Sequence, residues 1–278
     1  MGGAALRQRD SSPALEIPCL NEAEIAAFYR DGFLILRSVF SQGEVLRIAA
    51  ALDRLARLAR SFGETRMYHG TQFVLGPPSG DRITEPTIER IVWVGGAEPI
   101  LSAYGQDPRL TSVVGQILRS DHLEQIINQA HYKFPGDGVS FSWHQDSAHR
   151  RYGGPEWTDV DGRGSFVETI TAIDMMATDN GPLLVIPGSN QAGHLPTEPS
   201  SRLLAPGHFD PKDAVPVLLA PGDVLLMGPY TIHSSVPNEG SHSRRTFLNG
   251  FASPGANRRA YPGVDAGRTV QVPRGPLG

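Results

Sequence analysis

The spacing of apolar and polar residues changes once along this chain. Up to about residue 122 apolar positions recur mainly at helical intervals, and beyond it they fall into short runs cut by Gly, Pro and Asn. Asn21 with Glu24, and Ser41 with Glu44, have the spacing at which an N-cap side chain and the third helical residue satisfy each other's backbone amides, so each pair predicts a helix start. Val45, Ile48, Leu52 and Leu55 then repeat at helical period, and the apolar run Phe33 to Leu36 between the two starts predicts a short strand. Residues 64 to 100, rich in Gly, Pro, Thr and charge, read as loops that could border a site, and Asp107-Pro108 opens another helix through Leu118.

From residue 123 the runs EQIINQAHYKF, VSFSWHQD, FVETITAIDMM, GPLLVIPG, VPVLLA, DVLLMG and TFLNGFA follow one another between turn signals. So many short strands predict a β-sandwich or barrel. The expected organisation is a leader over residues 1–17 and a single domain over 18–278. Within that domain we expect helical support to about 122, a β-core over about 123–252 and a C-terminal extension over 253–278.

Composition narrows the function classes. A chain of 278 residues, 40% apolar, is long enough to enclose a buried site. Its formal charge of −4 provides no broad basic surface for nucleic acid or an anionic membrane, so a small-molecule substrate is the better expectation. The lone Cys19 excludes an internal disulfide framework and a cysteine-based metal cluster. No apolar run reaches the roughly 20 residues a membrane span needs, and the N-terminus lacks a secretion signal's apolar stretch, so a cytoplasmic location is expected. Nothing in the sequence fixes the oligomeric state.

The candidate chemistry lies in VSFSWHQDSAH. On an extended strand, side chains two apart leave the same face, so His144 and Asp146 can offer an imidazole and a carboxylate to one ion. Two histidines and a carboxylate on one face of an octahedron leave open positions for a bidentate cosubstrate and O₂, as in non-haem Fe(II) oxygenases. His233, after a Pro-Gly-Asp turn and an apolar strand, is the candidate third ligand. A bare His-x-Asp arises readily by chance in a chain with nine histidines. Downstream arginines strengthen the reading: Arg244 and Arg245 open TFLNGFA, a strand expected beside the one carrying His233. A guanidinium there could clamp a dicarboxylate bidentately. Either could equally be a solvated surface charge.

In combination, LNEAEIAAFYRDGFLILRSVFSQGEV, HYKFPGDGVSFSWHQD, TDNGPLLVIPGSNQAGH and APGDVLLMGPYTIHSSVPNEGSHSRR resemble the phytanoyl-CoA dioxygenase superfamily, including its ectoine hydroxylase branch, over about residues 20 to 272. The resemblance implies a mainly β fold with flanking helices around a double-stranded β-helix (jelly-roll, cupin-like) core. It implies Fe(II) on His144, Asp146 and His233, with 2-oxoglutarate and O₂ as cosubstrates. The family's arginine lies eleven residues after the distal histidine, which selects Arg244, and a hydroxyl two residues after that histidine selects Ser235. His131 stands where ectoine hydroxylases carry an amide, with Gln129 on its face; His131 could also be a competing metal ligand or a core histidine. Related halogenases replace the carboxylate by a small residue, so Asp146 argues against halogenation. SAHRRYGGPEW differs from the acidic and aromatic substrate motif of ectoine hydroxylases, which disfavours ectoine.

The expected reaction is hydroxylation of an unactivated C–H bond in a secondary metabolite or amino-acid derivative, with release of succinate and CO₂. Desaturation, epimerisation or oxidative cyclisation are alternatives with the same cofactors. Candidate substrate contacts are Trp143, Ser147, His149, Arg150 and Phe251, with Tyr152, Trp157, Arg258 and the 64–80 segment behind them. The basic pair Arg150-Arg151 could meet an acidic substrate or form a solvated turn. The rival from another class is a non-catalytic jelly-roll binding module, which would lack a ligand or the arginine; a second is a metal-dependent cupin of isomerase or hydrolase type.

Overall fold

The computed structural model describes residues 17–78, 85–198, 201–205 and 207–273, so all but the last residue of the expected leader lies outside the described residues. Both capping boxes form. Helix α1 (Glu22–Asp31) is capped by Asn21, strand β1 spans Phe33–Leu36, and helix α2 (Gln42–Phe62) is capped by Ser41. Val45, Ile48, Leu52 and Leu55 are all buried under α2, where each contributes roughly 2 kcal/mol by leaving water.

The segment expected to be loop contains three strands instead: β2 (Arg66–Tyr68), β3 (Thr71–Gly76) and β4 (Thr87–Val92). They extend the main sheet at its edge, where backbone pairing rather than continuous apolar patterning defines a strand, and β2 is exposed throughout. Helices α3 (Pro99–Gly105) and α4 (Pro108–Leu118) follow, the latter as Asp107-Pro108 predicts.

The rest is β-structure: β5 (His122–Lys133), β6 (Phe141–His144), the one-turn helix α5 (Asp146–His149), β7 (Phe166–Ala172), β8 (Leu183–Val185), β9 (Val215–Val217), β10 (Val224–Met227), β11 (His233–Ser235), β12 (Arg244–Ala252) and β13 (Arg268–Gln271). A nine-stranded sheet runs β1-β10-β7-β12-β5-β4-β3-β2, with β13 also on β5, and a four-stranded sheet runs β6-β11-β8-β9. All these pairings are antiparallel. This is the double-stranded β-helix that the sequence predicts, with a cavity walled by both sheets.

Alternation along β12 separates core from cavity. Phe247 and Phe251 join the apolar core under the helices, while Arg244, Thr246 and Leu248 line the cavity. Residues of β7 are buried without exception, because that strand has cover on both faces. Among the described residues, no helix is long and apolar enough to cross a membrane.

The turn entering β10 is tightly fitted. Gly222 has φ +91°, its carbonyl accepts from Phe40 N and its amide donates to Ala172 O. A Cβ there would collide with the Phe40 carbonyl oxygen. Gly222→Ala should therefore lower unfolding stability by more than about 2 kcal/mol, measured by urea denaturation, since both φ and space are wrong for it.

Candidate metal and cosubstrate site

His144 ends β6 and His233 begins β11, and the two are register partners across that strand pair. Cross-strand partners project to the same face, and the two rings stand 4.2 Å apart between centroids. The strand stops at His144, but Gln145 keeps extended dihedrals (φ −116°, ψ 142°), so Asp146 still leaves the same face although it opens α5. One ligand atom from each of His144, Asp146 and His233 lies within 4.8 Å of the others, close enough to share an ion.

The environment suits a metal. His144 Nδ1 bonds the Ser142 carbonyl at 2.6 Å and His233 Nδ1 bonds the Thr231 carbonyl at 2.9 Å. Each ring thus donates backwards through Nδ1 and keeps its Nε2 lone pair for a ligand bond. Burial pushes His144 down to about 3, so it is neutral, as a ligand must be. Burial opposes ionisation of Asp146, but His233, Arg150 and His144 hold the carboxyl below the usual carboxylate range. Its Oδ2 is buried without a hydrogen-bond partner. A charged oxygen left so is costly unless a cation takes it, and the donor set fits Fe(II).

These three residues face a cavity of about 460 Å³. Arg244 lies at one end of it, 2% exposed, with Nη2 donating to Gly181 O at 2.7 Å and Nε without a partner. Burial pushes this guanidinium down to about 10. Ser235 Oγ, in the same cavity, is also buried and unpartnered. Arg245 points away and is occupied, with two bonds of 2.8 Å to Asp174 and one of 2.6 Å to Asp53. The arginines are not on the strand beside His233: β12 lies between β7 and β5 in the large sheet, and Arg244 reaches the cavity from the opposite wall.

His131 and Gln129 share the cavity face of β5, 2.5 Å apart between side-chain nitrogens. His131 stacks on Phe141 (4.8 Å, 19°) and is outside the three-ligand cluster. Burial holds it at about 3, so it brings a neutral ring to the site.

Of the expected substrate contacts, His149 and Arg150 line the cavity and three do not. Trp143 leaves the other face of β6 and packs on Phe209 (5.0 Å). Ser147 is buried against His194 Nδ1 at 2.8 Å. Phe251 lies in the helix-side core, at odd spacing from cavity-facing Arg244. Tyr152 and Trp157 stack on each other in a separate apolar cluster, and Arg259 rather than Arg258 reaches the cavity. From the 64–80 segment Gln72 contributes.

Sequence reasoning missed Glu168, which lines the cavity, and Lys133, which is buried on β5. Glu168, beside Asp146, is raised well above the ordinary range by burial and then by the Asp146 charge. Its signal was a carboxylate amid the apolar run FVETITA. Lys133, the register partner of Arg244, is buried, with Nζ donating to Val236 O; burial and then Arg244 push it down to about 7.

Comparisons with known proteins bear on the family and the fold. The ectoine dioxygenase of Bordetella bronchiseptica is 28% identical over 177 residues, 62% of this chain and 50% of that protein. The chain thus spans about half the length of the curated relatives it matches first. The structure of EvdO2 from Micromonospora carbonacea var. aurantiaca aligns with TM-score 0.64 and 26% identity, over 89% of this chain and 97% of that one. EctD from S. alaskensis shares the fold, with TM-score 0.66 and 24% identity over 96% of this chain and 94% of its own. Residues 28–246 match the phytanoyl-CoA dioxygenase (PhyH) family, and the chain belongs to that family.

Proposed function

We propose that this protein is an Fe(II)- and 2-oxoglutarate-dependent dioxygenase that hydroxylates a C–H bond of a small molecule. One observation carries the reading: a single cavity contains a three-ligand metal set and, in its walls, a buried arginine and a serine hydroxyl with unpartnered polar atoms. A non-catalytic jelly-roll module would have no reason to keep both.

In this reading His144, Asp146 and His233 hold iron, which when bound couples O₂ reduction to decarboxylation of 2-oxoglutarate and oxidation of the substrate carbon. Arg244 and Ser235 bind the far carboxylate of 2-oxoglutarate. The guanidinium supplies charge and a planar fork of donors, and the hydroxyl supplies a further donor. Gln129 and His131 offer uncharged polar contacts on the adjoining strand. The apolar side chains Ile170, Leu183 and Leu248 keep water from the space between these groups, which strengthens each polar contact made there. Backbone hydrogen bonds fix the orientation of both imidazoles before any ligand arrives.

Anaerobic titration of the protein with Fe(II) and then 2-oxoglutarate should develop the weak visible charge-transfer band of a chelated 2-oxo acid. Full metal loading with no band would overturn the reading.

A further inference from the structure

Three arginines are buried among the described residues: Arg109, Arg150 and Arg244. Arg109 is neutralised by Asp107 and Glu44, at 2.8 and 2.6 Å. Arg244 faces the cavity and serves the cosubstrate in the reading above. Arg150 also faces the cavity, is 7% exposed, forms no direct ion pair among the described residues although the Asp146 charge acts on it from nearby, and leaves its Nε unpartnered. A guanidinium donor buried without a partner is expensive unless an arriving acceptor completes it.

The surroundings suit an anion. Arg150 lies over the rings of Phe166 (5.0 Å) and Tyr261 (5.5 Å), which hold the guanidinium plane while leaving its edge for hydrogen bonding. The buried Tyr261 hydroxyl lies beside this guanidinium and has no other partner among the described residues. Arg259 also lies over the Tyr261 ring (5.0 Å), spends one N–H on the His149 carbonyl (3.0 Å), and forms no ion pair among the described residues. Its neighbour in sequence, Arg258, is exposed. The adjacent Arg151 also differs from Arg150: it sits at φ +59° and pairs with Glu156 at 2.9 Å on the surface.

Register separates the two ends. On β12, Arg244 is opposite Lys133, whereas Phe166 is opposite Ala252, eight residues further on. That is roughly 26 Å of strand between the backbone anchors, so the two guanidinium groups enter the cavity from different ends. Arg150 N donates to Asp146 O, which puts this arginine one helical turn from a metal ligand.

We propose that the primary substrate carries a carboxylate or phosphonate, held by Arg150 with support from Arg259 and the Tyr261 hydroxyl, and that the oxidised carbon lies within a few bonds of that group. The proposal rests on the Fe(II)/2-oxoglutarate reading of the same cavity.

The test uses Fe(II)-loaded, 2-oxoglutarate-bound protein without oxygen and follows binding of butyrate, propylphosphonate and uncharged butyramide by ligand-observed NMR. The acids should bind about tenfold or more tightly than the amide, and iron should broaden their methylene signals. Arg150→Gln should remove that preference while the charge-transfer band of the 2-oxoglutarate complex persists, and Arg151→Gln should change neither. If the acids bind no better than the amide in the wild type, or Arg150→Gln weakens acid and amide alike, Arg150 is a structural cation and the proposal falls. If Arg150→Gln does not fold, Arg259→Gln and the wild-type acid-to-amide ratio decide in the same way. A wild-type protein that takes up iron but gives no band sinks the underlying reading instead.

Discussion

His144→Ala will leave a folded protein that no longer retains iron. Loss of even an outer partner of a ligand weakens metal affinity about 10- to 100-fold, so removing an imidazole that binds the ion directly should exceed about 100-fold and take turnover below detection. Metal content after gel filtration, with circular dichroism to confirm folding, checks the expectation. Stability should change little in the metal-free protein, because two adjacent imidazole rings and a carboxylate whose Oδ2 has no partner contribute little to holding the sheets together. Iron retained at wild-type stoichiometry would mean that other residues form the centre.

Arg244→Ala has the second largest expected effect, and on a different quantity. A charge-assisted, bidentate contact stabilises a bound carboxylate by roughly 2–3 kcal/mol, so 2-oxoglutarate binding should weaken about 30- to 100-fold while iron loading stays intact. Removing a cation whose charged form burial already disfavours should leave the melting temperature unchanged or raise it. Arg245→Ala should do the reverse. That substitution strands Asp174, lowers stability and spares cosubstrate affinity, because Asp174 and Asp53 already occupy the Arg245 guanidinium. Titration of the charge-transfer band and thermal melts of the two variants separate these roles, and equal cosubstrate affinity in Arg244→Ala and wild type would remove Arg244 from the site.

Much of this was legible before the structure, and the failures have physical causes. Capping boxes located α1 and α2 because reciprocal side-chain bonds leave a fixed sequence spacing. The sequence signals for β2 to β4 were obscured because edge strands owe their existence to a neighbour's backbone, which composition does not encode. Phe251 was assigned to the cavity although counting by twos from Arg244 puts it on the helix side; period-two reasoning applied to β12 would have caught it. Glu168 lies in a strand buried on both faces, where no polar alternation betrays which side chains point inward. Arg150 and Arg151 are indistinguishable in sequence, and only the left-handed turn at Arg151 sends one inward and the other to solvent. The placement of Arg244 on the sheet opposite His233 was beyond reach, since it depends on how two sheets stack.

The two cationic ends of the cavity are anchored differently. Arg244 and its neighbours Thr246 and Leu248 sit on β12, a continuous strand locked between β7 and β5, whereas Arg150 follows the short helix α5 and Arg259 and Tyr261 belong to the irregular segment after Ala252. Rigid sheet holds what every turnover needs, and loops hold what distinguishes one substrate from another. Substitutions and insertions in those loops can accumulate over evolutionary time without retuning the oxidant, which leaves this protein able to exchange its preferred molecule while inheriting its chemistry unchanged.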